Sequence, residues 1–129
     1  MHKLVVSIEP VAKQRARVLK TGRSYTPSKT KNYEDTLKGL FIVFARKHNI
    51  KPSGNPICLW VEFYLSRPKT NKSKLPIVRP DLDNYLKSVM DAGNGVFWID
   101  DSCVVKVIAE KRYADYVCAS IAIKIEEML

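Results

Sequence analysis

The sequence predicts an α/β domain of the α+β kind, one mixed β-sheet carrying two packed helices, with elements in the order β-α-β-α-β-β over residues 1–129. Three observations predict it. Two stretches repeat apolar residues at helical spacing, four short runs are rich in β-branched and aromatic residues, and helix and strand signals alternate along the first two thirds of the chain. With 129 residues, 46% of them hydrophobic and 27% charged, the chain suits a single core and lies far from the composition of disordered proteins.

Lys3 to Glu9 reads KLVVSIE and is closed by Pro10, which predicts a first strand. From Pro10 to Tyr33 there are seven basic residues and no acidic one, with a turn at Gly22. This run suits a solvated loop and equally a phosphate-contacting arm; Tyr25 within it could stack on a base or pack on its own scaffold. Thr26-Pro27 reads as an N-cap with proline at the first helical position, and Tyr33, Leu37, Leu40, Phe41 and Phe44 then mark a helix ending near His48. After the K-P-S-G-N-P punctuation, Ile57 to Leu65 predicts a buried strand. Residues 67 to 80 hold five basic residues and three prolines, which excludes a helix and predicts an exposed loop. Leu82, Tyr85, Leu86, Val89 and Met90 define a second amphipathic helix that begins close to Asp81 and ends in Gly93-Asn94-Gly95. Two more strands follow, about Cys103 to Arg112 and Val117 to Glu126, and the short connection between them predicts a hairpin.

The net charge of +9 points to a polyanionic partner, nucleic acid before membrane surface. Cys58, Cys103 and Cys118 are odd in number and lack C-x-x-C spacing, so they predict buried thiols in a reducing compartment. His2 and His48 are too few for an ordinary Cys/His zinc site. No run approaches a membrane span or a signal peptide, and a cytoplasmic location is expected.

The acidic residues are unevenly placed. Asp81, Asp83, Asp91, Asp100 and Asp101 lie within residues 81–101, whose only basic residue is Lys87, so an acidic island sits in a strongly basic chain. Aspartate is favoured at an N-cap and in a first helical turn, so Asp81 and Asp83 suit capping. If the helix start and the strand start converge, the same carboxylates with Asp100-Asp101 repel one another and suit a divalent cation. Both readings stand on spacing alone. Lys87 lies one helical turn from Asp83 and from Asp91, which suits plain ion pairs and equally a lysine poised beside a reacting phosphate. Phe97 and Trp98 read as core aromatics.

The stretch R-P-D-L-D-N-Y-L-K-S-V-M-D-A-G-N-G-V-F-W-I-D-D-S-C-V-V, residues 79–105, closely resembles the signature of the RusA family of Holliday junction resolvases. E-K-R-Y at 110–113 and T-P-S-K-T-K-N-Y-E at 26–34 resemble further landmarks of that family. The resemblance implies a RusA-like fold and a homodimeric, Mg²⁺-dependent endonuclease that nicks paired strands of a four-way DNA junction. It implies Asp81, Asp83 and Asp101 as catalytic metal ligands, Lys87 as the essential lysine, Asp100 as a supporting ligand and Asn84 as a motif residue at the helix start. Arg15, Arg17, Lys29, Arg67, Lys69, Lys72, Lys74 and Arg79 are the expected DNA contacts. The rival expectations are a non-catalytic DNA-binding module and a nuclease of this fold acting on other branched DNA.

Overall fold

The computed structural model describes residues 1–14, 17–18, 20–22, 24–25 and 28–129, without the side chains of 17, 18, 24 and 25. The expected Thr26-Pro27 helix start, Arg15, and the side chains of Arg17 and Tyr25 therefore lie outside the described residues. The elements are β1 (His2–Val6), β2 (Arg17–Val18), β3 (Ser24–Tyr25), α1 (Ser28–Lys47), β4 (Ile57–Leu65), α2 (Leu82–Gly93), β5 (Val104–Tyr113) and β6 (Ser120–Glu127). The α+β class and the order of the major elements are as the sequence predicts; the two-residue ribbon of β2 and β3 in the basic segment is an addition.

The main sheet has the order β1-β6-β4-β5, antiparallel except for the parallel β4–β5 pair. The expected hairpin is not formed. β5 and β6 flank β4 on opposite sides, and residues 114–119 step across the end of β4, where the Ala114 amide donates to the Leu65 carbonyl at 2.7 Å. The reason lies in burial. β4 alternates fully buried Leu59, Val61 and Phe63 with half-buried Trp60, Glu62 and Tyr64, so it takes the centre and pairs on both edges. A parallel neighbour needs a long crossover, and the segment containing α2 supplies it.

Leu59, Val61 and Phe63 of β4 and Ile121, Ile123 and Ile125 of β6 line the face on which the helices lie; residues of the other parity form an open face. α1 buries Thr30, Tyr33, Leu37, Phe41 and Ala45, so its inward stripe is turned slightly from the expected one and leaves Leu40 exposed. α2 buries Tyr85, Ser88, Val89, Ala92 and Gly93, with Leu82, Leu86 and Met90 half-buried against the core. Small residues at 88, 92 and 93 let α2 sit close to its neighbours, and Trp98 fills the space over Gly93. Phe97 and Trp98 are core aromatics, as expected. Cys58 is buried, but Cys118 is exposed, contrary to expectation, because it lies on the crossing loop rather than in β6. Among the described residues no helix is long and apolar enough to cross a membrane.

Candidate active site

α2 begins at Asp81, which occupies the N-cap in extended backbone. Its carbonyl accepts from the Asn84 and Tyr85 amides at 3.2 and 3.4 Å, but its carboxylate makes no capping bond. Asp83 follows in the first turn, and both carboxylates are exposed. Capping by the Asp81 side chain therefore does not explain the residue. The helix N-terminus favours both negative charges.

The loop ahead of Asp81 is tied to β5. Lys111 Nζ donates to the Val78 and Pro80 carbonyls at 2.8 and 2.9 Å, which fixes the approach to α2 and brings a cation close to Asp81. Lys111 was not singled out from the sequence; the E-K-R-Y landmark containing it was the available signal. The Asn84 carbonyl accepts from the Lys13 amide at 2.8 Å, docking the segment after β1 on the start of α2.

Lys87 is exposed and pairs with Asp91 at 3.3 Å. Asp91 also faces Lys13 at 3.3 Å, and Lys13 pairs in turn with Glu34. Burial pulls the Lys13 ammonium down, but the Glu34 and Asp91 carboxylates together outweigh it and leave the group above its ordinary value. Asp91 thus engages the Lys87 ammonium on the face of α2 that carries Asp83.

Asp100 and Asp101 differ in their surroundings. The Asp100 carboxylate accepts from the Ser102 amide at 3.0 Å and caps the single 3-10 turn over Asp101–Cys103; its hydrogen bonds with Ser102 hold it below the usual carboxylate range. The Asp101 carboxylate accepts from Trp98 Nε1 at 2.8 Å. The indole, buried against Gly93 at the last turn of α2, thereby aims Asp101. The i,i+3 spacing in W-I-D-D was the sequence signal for this bond.

Asp101 consequently belongs to the far end of α2 from Asp81. Twelve residues of helix span about 18 Å. The helix start and the strand start do not converge within one chain, and among the described residues no three His, Cys, Asp or Glu side chains gather closely enough to share a metal ion. The oxygen donors suit a hard divalent cation in kind, and the exposed Asp81 and Asp83 supply the one or two carboxylates that Mg²⁺ ordinarily takes from a protein.

Of the expected DNA contacts, Lys29, Lys69, Lys72, Lys74 and Arg79 are exposed. Arg67 is committed to the scaffold. Its guanidinium forks onto Asp115 at 2.8 and 2.9 Å, donates to the Asn71 and Ser73 carbonyls at 3.1 and 2.5 Å, and lies over the Tyr113 ring at 4.0 Å. With the Asn71 amide donating to the Tyr113 hydroxyl at 2.7 Å, this pins the basic loop to the end of β5.

Residues 7–126 match the family described as Endodeoxyribonuclease RusA. The chain is also similar to the uncharacterized protein YqaN of Bacillus subtilis (strain 168), at 31% identity over 129 residues, covering 88% of each chain.

Proposed function

The chain belongs to the RusA family of endodeoxyribonucleases, and from that premise we propose that it is a Mg²⁺-dependent nuclease that resolves four-way DNA junctions by paired nicks. The observation that carries the reading is the start of α2, where two carboxylates two residues apart are both exposed and the N-cap one makes no capping bond. An uncapped carboxylate that pairs with no cation among the described residues, at the end of a strongly basic loop, is a poor structural element and a good ligand for a cation shared with a phosphate.

The separation of Asp101 from Asp81 and Asp83 gives the reading its shape. We assign the working unit to a homodimer in which Asp101 of one copy completes the acidic pair of the other. Two-fold symmetry then delivers one cutting centre to each of the two equivalent junction strands. Lys87, held by Asp91, faces the phosphate and stabilises charge that develops on it. Asp100, occupied as a cap, supports the position of its neighbour. Lys69, Lys72, Lys74 and Arg79, with Lys29, grip the backbone, and Arg67 holds their loop in place. Two copies carry twice the +9 of one chain, so binding falls steeply with added salt and selectivity for branches comes from shape.

Cleavage of a synthetic four-way junction, beside linear duplex of the same sequence, tests the reading in Mg²⁺ and in EDTA. Wild type is expected to nick only the junction and only with Mg²⁺, and Asp81→Asn, Asp83→Asn and Asp101→Asn are each expected to bind without cutting. Mixing Asp83→Asn with Asp101→Asn restores one intact centre per mixed dimer, so single nicks return. No recovery in mixed dimers would place all three carboxylates in one chain. Binding without cutting under every metal would leave a DNA-binding module, and preferred cutting of flaps or forks would change the substrate but not the chemistry.

A further inference from the structure

The Lys13 side chain is only 20% exposed, and its ammonium lies between carboxylates of two different elements, Glu34 of α1 and Asp91 of α2. Its own amide donates to the Asn84 carbonyl at 2.8 Å, so backbone and side chain both fix it on α2. Withdrawing an ammonium from water is costly, and an apolar side chain of similar size would tie the segment after β1 to the helices at least as well. What the charge adds is its effect on Asp91.

Asp91 is contested by two lysines. Its Oδ2 faces Lys13 at 3.3 Å and its Oδ1 faces Lys87 at 3.3 Å. Both distances exceed the roughly 2.7–2.9 Å of a close ammonium–carboxylate contact, whereas Lys13 and Glu34 meet closely. Glu34, Lys13, Asp91 and Lys87 thus form a line of alternating charge, anchored at its mostly buried Glu34–Lys13 end and loose at Lys87, which is 61% exposed. Along α2, Lys87 has a carboxylate one turn away on either side, Asp83 toward the start of the helix and Asp91 toward its end. Where the ammonium sits between them depends on how strongly Asp91 draws it. Without Lys13 the whole charge of Asp91 would fall on Lys87, whose long side chain can close the remaining gap.

We propose that Lys13 is a positioning residue for Lys87: it takes up one oxygen of Asp91 and so leaves the Lys87 ammonium free to meet a phosphate at the Asp83 end of the helix. This rests on the nuclease reading above and adds to its site a residue that touches neither DNA nor metal. Asp91 keeps Lys87 on the working face of α2, and Lys13 keeps Asp91 from capturing it.

Single-turnover cutting of a four-way junction at saturating enzyme, together with the ¹⁵N resonance of the Lys87 ammonium, tests the proposal. Lys13→Met should cut about tenfold more slowly than wild type, with a junction dissociation constant within about threefold, since members of one ion-pair network influence each other by factors of this order. Lys13→Arg, which keeps the cation, should cut at close to the wild-type rate. In the Lys87→Ala and Asp91→Asn backgrounds Lys13→Met should slow cutting no further; a role confined to tying the segment after β1 to α2 would slow every background by the same factor. The Lys87 signal, assigned by its loss in Lys87→Ala, should exchange more slowly with water in Lys13→Met. Circular dichroism verifies folding. Should Lys13→Met fail to fold because Glu34 is stranded, Lys13→Met with Glu34→Gln removes that charge and carries the same expectations. Unchanged cutting, equal slowing in the Lys87→Ala background, or an unaltered Lys87 signal would each overturn the proposal and leave the nuclease reading standing. Slowed exchange at Lys87 in a chain whose wild type cuts no junction would retain the contest for Asp91 and overturn the nuclease reading.

Discussion

Gly93→Ala is a one-carbon change at the last turn of α2, aimed at the packing that orients Asp101. A Cβ built at Gly93 would lie 2.7 and 2.8 Å from Cη2 and Cζ2 of Trp98, closer than carbon atoms tolerate. The obstacle is not the free end of a flexible chain. Trp98 is 1% exposed and is held by its bond to Asp101, so the indole, the helix end or both must shift. Overpacking of this kind costs about 1–3 kcal/mol. Replacing a helical glycine by alanine returns at most about 1 kcal/mol, and less at a terminal position. The net expectation is destabilisation by about 1–2 kcal/mol, or a fall in melting temperature of about 4–8 °C for a domain of this size. Thermal unfolding followed by circular dichroism measures it, and emission in a Trp60→Phe background, where Trp98 is the one tryptophan, reports whether the indole has moved. Gly39→Ala is the matched control: it lies within α1 with no atom within 4 Å of the added carbon, and it should stabilise by up to about 1 kcal/mol. Equal or higher stability for Gly93→Ala, with unchanged emission, would refute the claim that this glycine is required by the indole. Loss of junction cleavage beyond the loss of stability would show that the indole aims Asp101.

Lys87→Ala should bind a junction as wild type does and cut about a hundredfold more slowly; Asp91→Asn, which releases Lys87 and leaves Lys13 paired with Glu34 alone, should show a smaller loss of the same kind, and single-turnover rates at saturating enzyme separate the two effects. Arg67→Lys keeps the charge but loses the fork, so the 67–80 loop should become sensitive to limited proteolysis at neutral pH. In wild type the Arg67 hydrogen bond holds the Asp115 carboxylate below its ordinary value, so that support is present at neutral pH and lost as pH falls through the lowered value; equal digestion of variant and wild type would remove the strut role. Burial pushes the Tyr33 phenol up from 10.0 to about 12, so the stability gained by keeping it protonated is full below pH 10 and drains away as pH rises toward 12. Tyrosinate absorbance should show it ionising late, with alkaline unfolding, and free titration of all six tyrosines near their ordinary value would contradict this.

Local signals carried much of the fold. β4 occupies the residues its β-branched and aromatic run predicts because proline and glycine precede it and proline follows it, and α2 starts where Asp81 announces an N-cap. Strand partners were not legible, because the position of β4 between β5 and β6 depends on which strand is most apolar on both faces once all are present. The site divides in the same way. Asp81, Asp83, Asp101 and Lys87 stand out by type and spacing, and so does the helix between them, but spacing along a chain does not tell that Trp98 keeps Asp101 at the far end of that helix. Arg67 and its basic neighbours have identical charge; only the neighbouring carboxylate and carbonyls distinguish a strut from an exposed lysine.

The pairing of β1 with β6 sets His2 beside Ile125 and Val6 beside Ile121. The first strand in the order of the chain thus has its hydrogen-bonding partner in the last, and β4 waits for both β5 and β6 to complete its edges. Pairings of such long range close slowly, since nearly the whole chain is a loop that must lose its freedom first. The main sheet is therefore complete only when β6 has formed. Until then the exposed carboxylates at the start of α2 belong to a strongly basic chain whose sheet does not yet hold them in place.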